Sequence, residues 1–427
     1  MISECTSDDA HRPKASYLPD VVIYRSITHI EPDLWDSICA PYGLSCTHRF
    51  IKTLEESRIE EADYWFVLIS LEKVLIGAAA LSSFTVSIDL LNPGLQGIAK
   101  GVRHLFPGFL KVRMLFCGLP ISIGKHTLCS KHRSFDSLVV DGVATAMKNI
   151  AFEQKIRILC AKEFLSTDID RVNRFQSHGF FRAPSIPRIG LPVRWPDVAT
   201  YMSDLRSDYR RQLKANVRKI GRTFAELEHS ARDLGKTDFP RLRLLSPTPS
   251  LAATFASLYA QVMDRVEFKL EMLDGNYFRR MFEALADDLE LIVLQHQDNI
   301  LGAALIAEVG GTLHFLFVGL DYSFRDDYDS YFNLLHGIVA VAIERKCAFV
   351  DLGQTSYRPK LRIGGVPEEV CFYLRATSPI IHTTLKSLRS CLFPRTRLPQ
   401  LRVFRRDHSE YGSHHEIIKC GSAHGES

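Results

Sequence analysis

A repeat constrains this chain more than any other feature. The run "LIGAAAL", Leu75 to Leu81, returns as "ILGAALI", Ile300 to Ile306. Each copy follows an apolar run and a short polar turn, "YWFVLIS" then "LEK" in the first and "LELIVLQ" then "HQDN" in the second. Both read as β-hairpins with a glycine in the second strand. The order continues alike. In the second half "TLHFLFVGL" predicts a strand, Tyr328 to Lys346 a helix, and "CAFVDLG" a strand. The helix rests on Tyr331, Leu334, Leu335, Ile338, Val341, Ala342 and Ile343, which recur at helical spacing. In the first half "KVRMLFCGL", "SLVVDGVATAMKNIAFEQ" and "IRILCAK" repeat strand, helix and strand, and a further helix is expected to end at "FQSHGFF". A strand–helix–strand unit crosses over right-handed onto one sheet. Two such units predict two α/β domains of similar plan, and 427 residues exceed one ordinary core.

The expected organisation has a disordered N-terminus over 1–20 and a first domain over 21–195 with an insertion at 84–110. A basic linker helix over 196–226, a second domain over 227–380 and a basic extension with a disordered tail over 381–427 follow. In the linker, Tyr201, Leu205, Tyr209, Leu213, Val217 and Ile220 form an apolar stripe. Arg206, Arg210, Lys214, Arg218 and Arg222 fall every fourth residue beside it. Arg210, Lys214 and Arg218 are therefore candidate anion ligands, with a solvated helix face as the alternative. The net charge of +4 is unevenly placed. Basic residues concentrate in Arg206–Arg222 and in Lys386–Arg406, the latter without an acid, and the remainder of the chain is acidic. Such strips suit a phosphate-rich cofactor, RNA or a membrane surface. The segment "GIAKGVRHLFPGFLKVRMLF" mixes apolar and basic residues and is a second candidate for membrane-surface contact.

Other classes are disfavoured. The ten cysteines form no CxxC pair and several sit in apolar runs, as Cys117 and Cys160 do, which reads as buried thiols in a reducing compartment. No zinc spacing or HExxH motif occurs, so no metal is expected. The N-terminus lacks an apolar signal region and no run reaches membrane-spanning length, so the expected location is the cytoplasm.

The assembled order resembles the core of the GNAT acyltransferase fold, and its duplication resembles the FemAB-like, peptidoglycan-biosynthesis-type acetyltransferase group. Two segments carry the resemblance: "RWPDVATYMSDLRSDYRRQLKANVRKI" between the halves and "YFNLLHGIVAVAIERKCAFVDLGQTSYRPKLRIG", Tyr331 to Gly364. It covers roughly 21–394. The resemblance implies an α/β (α+β) chain of two tandem GNAT-like domains, each a mixed twisted sheet with flanking helices, joined by the basic amphipathic helix. It implies an N-acyltransferase that moves an acyl group from a thioester, acyl-CoA or acyl-carrier protein, to a small-molecule or lipid-linked amine. One departure matters. The turn before the long second-half helix, "GLDYSFRDDYDSYF", has no glycine cradle for a pyrophosphate and carries Asp326, Asp327 and Asp329. Fem-like aminoacyl transfer from charged tRNA is therefore one alternative. A non-catalytic two-domain binding or scaffold protein is another.

In folds of this kind two parallel strands splay and the donor enters between them, and ligands bind at the open strand ends. The stretch "DLGQTSYRPKLRIGG" should lie there. Lys360 suits a carboxylate, phosphate or developing oxyanion, and Tyr357 a substrate contact or the proton for a leaving group. Asp351 suits orienting an amine or taking its proton, and Gly353 a sharp turn or a close ligand. Asp321 and Tyr322 end the neighbouring strand. Arg265 and Glu267 close the preceding helical stretch, and Lys162 ends the equivalent first-half strand as a candidate acceptor contact. Each has a structural alternative: a cap, a packed ring or an interface ion pair.

Overall fold

The computed structural model describes residues 19–87, 111–121, 123–221, 239–266 and 272–405. The first part of the chain supplies strands β1 (Asp20–Tyr24), β2 (Asp63–Leu71), β3 (Val74–Ser87), β4 (Lys111–Cys117), β5 (Leu128–Ser130), β6 (Ile158–Leu165), β7 (Phe181–Pro184) and β8 (Arg188–Pro192). The remainder supplies β9 (Arg241–Leu245), β10 (Glu290–His296), β11 (Asn299–Val309), β12 (Thr312–Leu320), β13 (Phe349–Asp351), β14 (Val366–Glu368) and β15 (Val370–Ala376). The helices used below are α1 (Pro32–Cys39), α2 (His48–Ser57), α3 (Asp136–Glu153), α4 (Val198–Asp204), α5 (Ser207–Arg218), α6 (Pro249–Met263), α7 (Gly275–Ala284), α8 (Ser330–Glu344), α9 (Tyr357–Arg362) and α10 (Pro379–Ser387).

The duplication extends to irregularities of the backbone. Both hairpins carry a bulge at the same point of the repeat: Ile76 in "LIGAAAL" and Leu301 in "ILGAALI" have no opposite number. The repeated glycines have a shared physical cause. A Cβ on Gly77 would stand 2.3 Å from Val139 of α3, and one on Gly302 would stand 3.2 Å from Leu334 of α8. Each glycine thus lets the following crossover helix settle onto its sheet. Each half also has one parallel pair, β4 with β6 and β12 with β13. Two residues past the last pairing the chain enters the left-handed region, at Glu163 (φ 67°) and Gly353 (φ 70°).

The strand orders are β1-β2-β3-β4-β6-β15-β7 and β9-β10-β11-β12-β13-β8-β14, with β5 beside β3. The two orders match position by position except that the sixth strands are exchanged. β15, near the C-terminus, pairs with β6 and β7, while β8, from the first half, pairs with β13 and β14. The expected cuts after 195 and before 227 therefore do not separate the sheets. Between the sheets, α1 and α2 pack against α6 and α7 in one core that holds Trp35, Phe50, Phe66, Phe255, Phe278 and Phe317.

Further differences from the sequence reading have local reasons. The basic linker is not one helix. Leu205 takes an extended conformation, is buried and bridges to Phe404, which breaks α4 from α5. Residues 84–87 of the expected insertion extend β3, and 88–110 lie outside the described residues. The helix expected before "HGFF" is two short turns closed by Gly179 at φ 81°. Through Arg405 the C-terminal extension is docked: Phe393 packs on Phe372, and Phe404 on Trp195. Residues 1–18 and 406–427, where disorder was expected, lie outside the described residues.

The exchange predicts that neither half folds alone. Fragments 1–195 and 196–427, expressed separately, should lack a cooperative urea transition, while the full chain unfolds in one. A cooperative transition in fragment 1–195 would contradict this.

Candidate functional site

β12 and β13 stay together for only three pairs, the last being His314 with Asp351. β12 then continues to Leu320 while β13 ends. Against β11, β12 carries a bulge that leaves Leu316 without an opposite number. This is the splay expected of the fold, and bulges of this kind re-aim backbone groups beside sites. The loop from Asp351 enters α9 through Gly353, Thr355 (φ 60°) and Ser356 (φ 45°). Left-handed conformation in a threonine is strained, and such strain collects at functional loops. A Cβ on Gly353 would meet nothing closer than 3.6 Å, so the glycine serves the turn and not a close approach.

Asp351 is 3% exposed and fully engaged. One carboxylate oxygen accepts from the Gly353 N–H at 2.9 Å. The other accepts from Arg188 Nη1 at 3.1 Å and lies 3.4 Å from His314 Nδ1. Burial would raise its pKa, but Arg188 and the His314 hydrogen bond outweigh burial and hold the carboxyl below the usual range. Arg188, 2% exposed on the exchanged strand β8, also pairs with Glu368 of β14 at 2.7 Å. Lys125, from the first half, brings Nζ to 3.4 Å from His314 Nε2. A buried polar seam therefore crosses from one half to the other through Lys125, His314, Asp351, Arg188 and Glu368. Burial and Lys125 lower the His314 pKa against the pull of Asp351, and burial lowers that of Lys125.

Lys360 is 3% exposed. Its Nζ donates to the Gln354 carbonyl at 2.7 Å and lies 5.7 Å from the centre of the Phe315 ring, at the start of the splay. Burial pushes its pKa down to about 7, against the pull of Asp351. Burial also pushes Tyr357 up to about 12, so its hydroxyl stays protonated at neutral pH.

The other sequence candidates fall into separate groups. Arg265 stacks on the Tyr322 ring at 3.9 Å, and Asp321 accepts from the Ser323 N–H in the turn after β12. These three lie about 20 Å along β12 from the Asp351 pairing. Glu267 lies outside the described residues. Lys162 is buried over Gly118, where it donates to the Ile121 carbonyl at 3.0 Å and pairs with Glu163 at 3.6 Å. Lys214 and Arg218 are exposed on α5, and Arg210 is half-buried and donates to the Ser203 carbonyl. A cleft between α5 and α8, lined in part by Tyr209, Asn216, Phe332, His336 and Arg362, contains none of the residues of the seam. Burial pushes His336 there down to about 4, which keeps it neutral.

The turn before α8 is tied to the end of the basic helix. Lys219 donates to the Asp326 carbonyl at 2.7 Å and pairs with Asp329 at 3.2 Å, while Asn333 donates to the Asn216 and Tyr328 carbonyls. The turn that lacks a glycine cradle is thus held by Lys219, the residue after the basic helix. Sequence reasoning missed Lys125, His314 and Arg188. A signal was present for two of them: His314 in "TLHFLF" and Arg188 in "PRIGLP" interrupt apolar strands.

Residues 207–360, from the first residue of α5 to Lys360, match the family described as acetyltransferase (GNAT) domain. FemX aligns over 86% of this chain and 100% of its own at TM-score 0.53 and 12% identity. A tandem GNAT protein from the clavulanic acid biosynthesis pathway aligns over 84% and 99% at TM-score 0.46 and 11% identity. Among curated proteins, the Mycobacterium tuberculosis protein named "Putative 8-amino-7-oxononanoate synthase 2" is 22% identical over 381 residues, 84% of this chain and 45% of that protein. This chain spans less than half the length of that relative. The match to the acetyltransferase (GNAT) domain family thus lies within a two-sheet fold similar to that of FemX.

Loss of Arg188 would leave Asp351 and Glu368 as uncompensated buried carboxylates. Arg188→Met should cost roughly 3–5 kcal/mol in urea unfolding. A cost within error of zero would show that the seam does not hold the exchanged strand.

Proposed function

We propose that the chain is an N-acyltransferase that moves an acyl group from a thioester to an amine at the splay of β12 and β13. The observation that carries this reading is Lys360, a buried lysine with a pKa of about 7 at the point where the strands part. In the step, the amine nitrogen attacks the thioester carbonyl carbon. The C–N bond forms, the C–S bond breaks, neutral Lys360 takes the amine proton and Tyr357 protonates the departing thiolate. Buried lysines tuned toward neutrality suit base catalysis. Asp351 acts as a positioning residue: Arg188 and His314 fix its carboxylate, which in turn fixes the turn into α9. An amine acceptor is the coarse class that the match to the acetyltransferase (GNAT) domain family supports. Acyl-CoA is the simplest donor consistent with the GNAT match, and a carrier-protein thioester would present the same acyl chemistry.

A second reading is aminoacyl transfer from tRNA. The exposed cations of α5 favour it. Its mark is tRNA binding that weakens steeply with salt.

The pH profile tests Lys360 as a base. Amine-dependent thiol release should show a kcat/KM that rises tenfold per pH unit below about 7 and levels above it. Lys360→Arg, which cannot deprotonate in this range, should lose on the order of 100-fold or more at every pH. A profile that instead falls above pH 7 would assign Lys360 a cationic role.

A further inference from the structure

At one end of the first sheet, β6 begins at Ile158 opposite Ala376, where β15 ends, and Thr377 donates to the Arg157 carbonyl at 2.9 Å. α10 starts there. Its inward face is anchored: the His382 ring meets Phe181 at 5.5 Å, and Leu385, with Leu392 beyond the helix, packs on the core that holds Phe84, Met114 and Phe393. Its outward face bears Ile380, Ile381, Thr384 and Leu388, which share one side at helical spacing. Ile380 is 80% exposed, Leu388 49% and Ile381 37%. Aliphatic side chains this bare, gathered on one helix face, mark a surface that another phase or partner covers.

The charge beside them narrows the choice. From Pro379 to Arg405 there is no acidic residue, and Lys386, Arg389, Arg397, Arg402 and Arg405 are exposed. A second copy of the chain would oppose this basic surface to itself, and like charges repel. RNA would use the cations but has no use for bare isoleucine and leucine, because its bases stack on aromatic rings. An anionic lipid surface uses both: apolar side chains enter the headgroup boundary and lysine and arginine remain at the phosphates. We propose that the outward face of α10, with the basic run that follows the helix, docks the protein on anionic membrane surfaces. The inference goes beyond the acyl-transfer reading and does not depend on which donor serves it.

Vesicle co-sedimentation of the full chain tests it. Wild type should bind vesicles of about one-third phosphatidylglycerol in phosphatidylcholine, fail to bind pure phosphatidylcholine, and lose binding in high salt. Ile380→Glu with Leu388→Glu should weaken binding by about tenfold or more. Both side chains project outward, so the thermal midpoint should not move. Equal binding of wild type and the double variant, or no binding to the anionic vesicles, would overturn the proposal. So would tight binding of homopolymeric RNA that survives the double variant and is lost on Arg397→Gln with Arg402→Gln.

Discussion

Arg188 is the contact on which the arrangement depends. It sits on a strand that leaves the half in which it was made, and it is buried between two carboxylates of the other half. A guanidinium so placed is stable only with both partners present. The ion pairs therefore specify where β8 inserts, in a sheet whose apolar strands would accept several registers. The exchange in turn gives β15 its place in the first sheet. A chain that looks like two beads in sequence thus becomes one cooperative body.

That body sets the chemistry. The carboxylate that Arg188 holds is the one that fixes the turn at Gly353, and the turn delivers α9 with Lys360 inward. A lysine exposed to water would keep its proton at neutral pH. This one, in contact with the Phe315 ring and a carbonyl, does not keep it as firmly. The remoteness of Arg265, Asp321 and Tyr322 from this point gives the splay two ends. The proposed chemistry belongs to the end where the strands part, and the Arg265–Tyr322 stack stands at the other.

The repeat and the fold were legible because their causes are local. "GAA" recurs because a helix must lie close over each hairpin, and Gly77 and Gly302 face the equivalent helices α3 and α8. The place of the loop of Tyr357 and Lys360 at the end of β13 was legible, because the apolar run before it reads as a strand. The strand exchange was not, since "RIGLP" and "VCFYLRA" are both apolar runs that either sheet could take. The seam was missed for a related reason. Lys125, His314 and Arg188 lie far apart in sequence: His314 reaches Asp351 through the β12–β13 pairing and Arg188 through the exchanged strand. The break at Leu205 was hidden because its apolar spacing continues through it, and a distant residue, Phe404, extends it.

The state of Lys360 is the most direct test of the account. Lysines labelled with carbon-13 at Cε can be titrated by NMR, with the Lys360 signal assigned by its loss in Lys360→Met. The account predicts a midpoint of about 7 for this signal in the folded protein. A midpoint near the ordinary lysine value of 10.5 would contradict it, because the splay would then hold a permanent cation and the proposed base would be absent.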